Sequence, residues 1–135
     1  MYYLKTYVLI YEIFVQFEVV LKNYFMKTKW EIVTVGVEDK EVISWEGFKT
    51  VPHLTLEEVE TDDVDLFVVP GGQPDQLYGT DKLTELLNKL YQKNKVLAAI
   101  CAAPVHFAKT GILNKHNYTT TLPLMNLTAL INKIF

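Results

Sequence analysis

"KVLAAICAAP", residues 95–104, decides how this chain is read. Its first six residues make a short apolar run suited to a buried strand, and Cys101, the only cysteine, follows at once. Ala102, Ala103 and Pro104 then open what reads as a helix, with proline in its first turn. A strand that turns sharply into a helix needs small neighbours, and such an elbow lifts its central side chain above the carboxyl end of the sheet. Unpaired N–H groups and the positive end of the helix dipole favour thiolate over thiol there. The thiolate is both the better nucleophile and the more oxidisable form. The same pattern also suits a cysteine that merely fills apolar space, the usual fate of a free thiol.

Outward from the elbow, apolar runs alternate with helical segments, the pattern of helices packed on a mostly parallel sheet. "TYVLIY" (6–11), "WEIVTVGV" (30–37) and "DLFVVPGG" (65–72) read as strands, the last ended by Pro70, Gly71 and Gly72. "EVISWEGFKTVP" (41–52) reads as a hairpin turned at Glu46 and Gly47. "VQFEVVLKNYFMKT" (15–28) has helical spacing, with Phe17, Leu21 and Tyr24 in one stripe. "KLTELLNKLYQKN" (82–94) predicts a helix capped by Asp81, with Leu83, Leu86, Leu87 and Leu90 facing inward. "PLMNLTALINKIF" (123–135) fits a helix with Leu124, Leu127, Ile131 and Ile134 on one face.

Length and charge exclude several classes. The 135 residues suit a single domain spanning 1–135. Thirteen Lys+Arg against sixteen Asp+Glu give a net charge of −3 with no basic block, so nucleic acid is not expected as a partner. Glu12, Gln16 and Glu18 interrupt the apolar segment 7–21, so no membrane span is expected. A lone cysteine and the lack of a leader pattern point to the cytoplasm. His53, His106 and His116 lack metal-ligand spacing, and neither a metal nor any other cofactor is expected. His53 and His116 read as surface residues, whereas His106 either packs against the sheet or points away.

Two further segments belong at the same end of the sheet as Cys101. The glycine pair 71–72 closes a strand, where it serves either as a tight turn or as a place where backbone N–H groups approach an oxyanion. Glu18 stands among Phe17, Val19 and Val20, and could equally face solvent on the polar side of its helix.

"YVLIYEIFVQFEVVL", "VDLFVVPGG" and "LAAICAAPVHFAKTGIL", in this order and spacing, resemble the ThiJ/PfpI superfamily of the class I glutamine amidotransferase-like fold. The "CAAP" form is most similar to the branch containing the Parkinson-disease-associated protein deglycase. The resemblance covers about residues 5–122. It implies an α/β flavodoxin-like three-layer sandwich with a mostly parallel sheet, its C-terminal part incomplete relative to the family. It also implies that Cys101 is the reactive cysteine and that Glu18 is a buried glutamate bonded to it. Backbone N–H groups of Gly71, Gly72 and Ala102 would line an oxyanion site. A desolvated carboxyl prefers to be neutral and can then donate to a thiolate, which agrees with that arrangement.

The chain departs from the pattern at three places. Ala102 stands where protease-like members carry a histidine, so peptidase activity is not expected. In "YTTTLP", Thr121 falls where the deglycase branch often has a histidine. After Leu122 the resemblance fades, before the usual closing strands, and this would leave apolar surface to be covered by residues 123–135 or by a second subunit. The expectation is a cytoplasmic, homodimeric enzyme that attacks a small reactive carbonyl or amide, as glyoxalase-, deglycase- or hydratase-like relatives do. The alternatives are a redox-responsive stress protein whose cysteine becomes a sulfinate, a protease- or amidase-like member, and an inactive truncated homologue.

Overall fold

The computed structural model describes residues 4–19 and 30–122. Strand β1 (Leu4–Ile10) lies at the centre of a five-stranded sheet. Its inner residues Tyr7, Leu9 and Ile10 are buried, as an apolar run covered on both faces must be. β2 (Trp30–Gly36) pairs with it in parallel, Leu4 opposite Trp30 and Ile10 opposite Gly36.

The short strands β3 (Val42–Ile43) and β4 (Lys49–Thr50) form the separate antiparallel hairpin expected from 41–52. Gly47 takes the left-handed φ of +87° that its turn requires. β5 (Leu54–Thr55) then adds in parallel to β2. It leads into a 3₁₀ turn in which Glu58 accepts bonds from the Thr55 N–H and hydroxyl.

From β5 the chain returns to the other side of β1 as β6 (Leu66–Val69), and β7 (Val96–Ala99) extends the sheet outward from there. The order β5-β2-β1-β6-β7, with every pair parallel, is that of a flavodoxin-like α/β fold. Strand order reverses between β1 and β6. In open α/β sheets, the crevice beyond the carboxyl ends of two such strands is where ligands bind.

Helix α1 (Asp81–Gln92) buries the predicted stripe Leu83, Leu86, Leu87 and Leu90 against the core that Phe14, Val35, Phe67 and Val69 complete. Its N-cap is Thr80 rather than Asp81. Asp81 is the first helical residue, and its carboxylate accepts from Lys109 Nζ at 2.8 Å instead of closing the helix end. The helix also stops at Gln92, because Asn94 turns into left-handed conformation.

A second correction concerns residues 15–28. The described part, up to Val19, holds only a 3₁₀ turn (Gln16–Glu18), and Phe17 is 70% exposed rather than part of an inward stripe. The rest of that predicted helix, and the whole of the one expected over 123–135, lie outside the described residues. No described helix is long and apolar enough to cross a membrane.

Candidate active site

Three chain segments leave the sheet at the switch point: Tyr11–Glu18 after β1, Pro70–Gly72 after β6 and Cys101 after β7. Ala103 N–H donates to Ile100 O at 2.9 Å, closing a turn with Cys101 at its corner. Cys101 has φ +60°, a left-handed conformation that costs a non-glycine residue about 1–2 kcal/mol. This is the expected elbow. The helix behind it, α2 (Pro104–Ala108), is five residues long, too short to supply the full dipole foreseen from the sequence. Its backbone N–H groups remain. Ala102 N–H has no acceptor among the described residues, and neither does that of Gly72.

Glu18 and Cys101 both close on Gly71. A Cβ built there would stand 2.6 Å from Cys101 Cβ and 2.9 Å from Glu18 Oε2, so only glycine fits. Glu18 Oε2 accepts the Gly71 N–H at 2.6 Å. Of the three N–H groups expected to serve an oxyanion, that of Gly71 is therefore engaged, leaving Gly72 and Ala102. The expected Glu18–Cys101 hydrogen bond is not formed among the described residues: the sulfur's partner is the hydroxyl of Thr121, with Oγ1 3.3 Å from Sγ. The glutamate backs the elbow through Gly71.

Gly72 has φ +135°, and a Cβ there would overlap the Ile13 carbonyl oxygen. The close approach comes from a bridge between the post-β1 and post-β6 segments, in which Val15 N–H donates to Gly71 O at 2.9 Å and Gln73 N–H to Ile13 O at 3.2 Å. This bridge sets the spacing between Glu18 and the glycine pair.

Two residues that sequence reasoning missed hold the site. Buried Tyr11 directs its hydroxyl at Pro70 O (2.9 Å) and Gly71 O (2.8 Å). Burial, followed by the negative fields of Glu18, Cys101 and Asp75, keeps its phenol protonated well above the usual range. Glu46, at the hairpin corner, accepts from Gln16 N–H at 3.0 Å and Phe17 N–H at 3.2 Å, and so caps the turn that carries Glu18. Desolvation of its carboxyl, which raises the pKa, is outweighed by those donors together with its own N–H and the Ser44 hydroxyl, and the pKa lies below the usual value. Tyr11 ends the apolar run at 6–11, a visible signal; Glu46 gave none, because its partners lie about thirty residues away.

No histidine reaches the sulfur. His53 Nδ1 accepts from Thr34 N–H at 2.9 Å and His116 Nε2 pairs with the Tyr91 hydroxyl at 3.1 Å, both exposed. His106 is buried near the Tyr78 ring, and its Nε2 has no hydrogen-bond partner among the described residues. Burial pushes its pKa down to about 4.

The model of the DJ-1/PfpI family matches residues 4–133. The chain belongs to that family. Among curated relatives, Deglycase PfpI of Pyrococcus furiosus is 28% identical over 105 residues, 76% of this chain and 63% of that protein. The Uncharacterized protease YoaZ of Bacillus subtilis is 32% identical over 101 residues, 72% of this chain and 47% of that protein. The DJ-1 superfamily protein Atu0886 of Agrobacterium tumefaciens has a crystal structure that superposes with a TM-score of 0.81 at 26% identity, covering 93% of this chain and 68% of that one. The chain spans about half the length of the curated relatives it matches, from 42% to 63% for the first three. Family and fold are thereby established.

Proposed function

We propose that this DJ-1/PfpI-family protein is a cysteine-dependent enzyme acting on a small reactive carbonyl or amide. The observation that carries the reading is the left-handed Cys101 at the switch point, beside the unengaged N–H groups of Gly72 and Ala102. The Cys101 thiolate attacks the carbonyl carbon and a C–S bond forms. The C=O π electrons move to oxygen, and the two N–H groups hydrogen-bond that oxyanion. Glu18 fixes Gly71 against the elbow, so its part is to position the glycine pair. Relatives named as deglycases favour a carbonyl substrate.

A second reading has support of its own. With no imidazole at the sulfur among the described residues, the site lacks the commonest general base for repeated proton transfer. The thiolate could instead be oxidised by two equivalents of peroxide to a sulfinate, each equivalent delivering one oxygen atom and leaving as water, so that the protein acts as a redox-responsive stress protein. The protease-like and inactive alternatives are less favoured, because nothing near Cys101 among the described residues replaces the missing histidine and the elbow keeps its strain.

The proposal places the protein in the cytoplasm as a homodimer. The dimer reading rests on exposed Phe17, Trp45 and Phe48, where the Phe17 and Phe48 rings meet edge to face at 6.4 Å.

The test is consumption of a small α-oxoaldehyde by the native chain and by Cys101→Ser. Turnover that disappears with the sulfur is expected. Absence of turnover in the native chain, with clean formation of a sulfinate under peroxide, would replace the first reading by the second.

A further inference from the structure

We propose that the Thr121 hydroxyl holds Cys101 in its thiolate form, acting on the sulfur as a hydrogen-bond donor and not as a base. The inference rests on the reading of Cys101 as the reactive residue. Thr121 Oγ1 lies 3.3 Å from Cys101 Sγ, and neither atom has another hydrogen-bond partner among the described residues.

The contact is built, since the elbow itself fixes the threonine. Thr121 N–H donates to Cys101 O at 3.2 Å, and the Thr120 hydroxyl donates to the same oxygen at 3.2 Å. Both lone pairs of that carbonyl are then in use, and residues 120–121 move with the cysteine as one unit. Leu122 N–H bonds back to Thr120 Oγ1 at 3.3 Å, which tightens the turn.

A neutral thiol can give or receive the hydrogen bond with the hydroxyl. A thiolate can only accept, so the hydroxyl must donate, and a bond to a charged acceptor is the stronger one. That difference favours the charged sulfur. A threonine hydroxyl is far too weak a base to take the proton that the thiol gives up, so this proton goes to solvent, which reaches the partly exposed Cys101. A histidine at 121 would combine donor and base; threonine supplies the first role alone. Thr121 is therefore a positioning residue that brings no ionising group of its own to the sulfur.

The test is the rate of Cys101 alkylation by iodoacetamide, in which the thiolate displaces iodide, followed from mildly acidic to alkaline pH. Thr121→Val keeps the side-chain shape and removes the donor. It should move the midpoint upward by about one unit and slow alkylation at neutral pH by up to about tenfold, with the limiting alkaline rate kept or raised. Thr121→Ser restores the donor and should restore the native midpoint. A purely structural role would lower the rate at every pH and leave the midpoint in place. Equal midpoints in the native chain and Thr121→Val overturn the proposal while leaving a reactive cysteine. A native sulfur that reacts no faster at neutral pH than the same chain in denaturant overturns both this proposal and the reading beneath it.

Discussion

At the scale of single residues, the site depends on positions with no spare room. Gly71 lies between Cys101 Cβ and the Glu18 carboxylate, so Gly71→Ala must displace one of them. A loss of about 1–3 kcal/mol in urea unfolding is expected, together with slower alkylation of Cys101, because the displaced group is part of the elbow. His106 gives a pH signature independent of the site. It is only 7% exposed, and its pKa falls from 6.5 in the unfolded chain to about 4 in the folded one. The folded state thus resists protonation that the unfolded state accepts. Stability from this group is complete above pH 6.5 and is lost as pH falls toward 4. The loss at about pH 5 is roughly 2 kcal/mol by linkage. Urea unfolding at neutral and mildly acidic pH checks this against His106→Phe, which should lack that part of the dependence.

At the scale of elements, β1 carries a buried polar side-chain atom that nothing among the described residues satisfies. Thr6 is fully buried mid-strand, and that atom is its Oγ1. Thr6→Val keeps the β-branched shape and should stabilise the protein by about 1 kcal/mol, read as a higher urea midpoint with an unchanged slope. The long elements were legible because their signal is local. The apolar runs of β1, β2, β6 and β7 and the leucine stripe of α1 need no knowledge of their neighbours. Two-residue β5 and the 3₁₀ turn carrying Glu18 have no such period, since β2 pairs with the first and Glu46 caps the second from across the fold. Asp81 looked like a cap by residue type, but the preference was overridden by Lys109, twenty-eight positions on. Within the candidate site, the elbow at Cys101 was legible from a strand followed by small residues. Which group its sulfur would meet was not, because the directions of the Gly71 N–H and the Thr121 hydroxyl are set by packing among three separate segments.

At the scale of the whole molecule, parallel strands that reverse order between β1 and β6 gather those three segments at one point, and the proposed chemistry follows from that gathering. The hairpin β3–β4 ties its Glu46 to the Glu18 turn and exposes Trp45 (64%) and Phe48 (51%), the latter against Phe17. If this apolar surface is the homodimer contact, Trp45→Asp should convert a dimer to a monomer in sedimentation without loss of helix or strand signal, whereas a monomeric native chain would remove the dimer from the account. The central claim is that this assembly makes Cys101 reactive. Its most direct measurement is the intact mass of the native chain, after brief exposure to a small excess of iodoacetamide at neutral pH, set beside the same chain in denaturant. Complete single labelling at Cys101 is expected in the folded protein, while the unfolded chain remains largely unlabelled. Equal labelling, or slower labelling when folded, would contradict it and make Cys101 a packing residue.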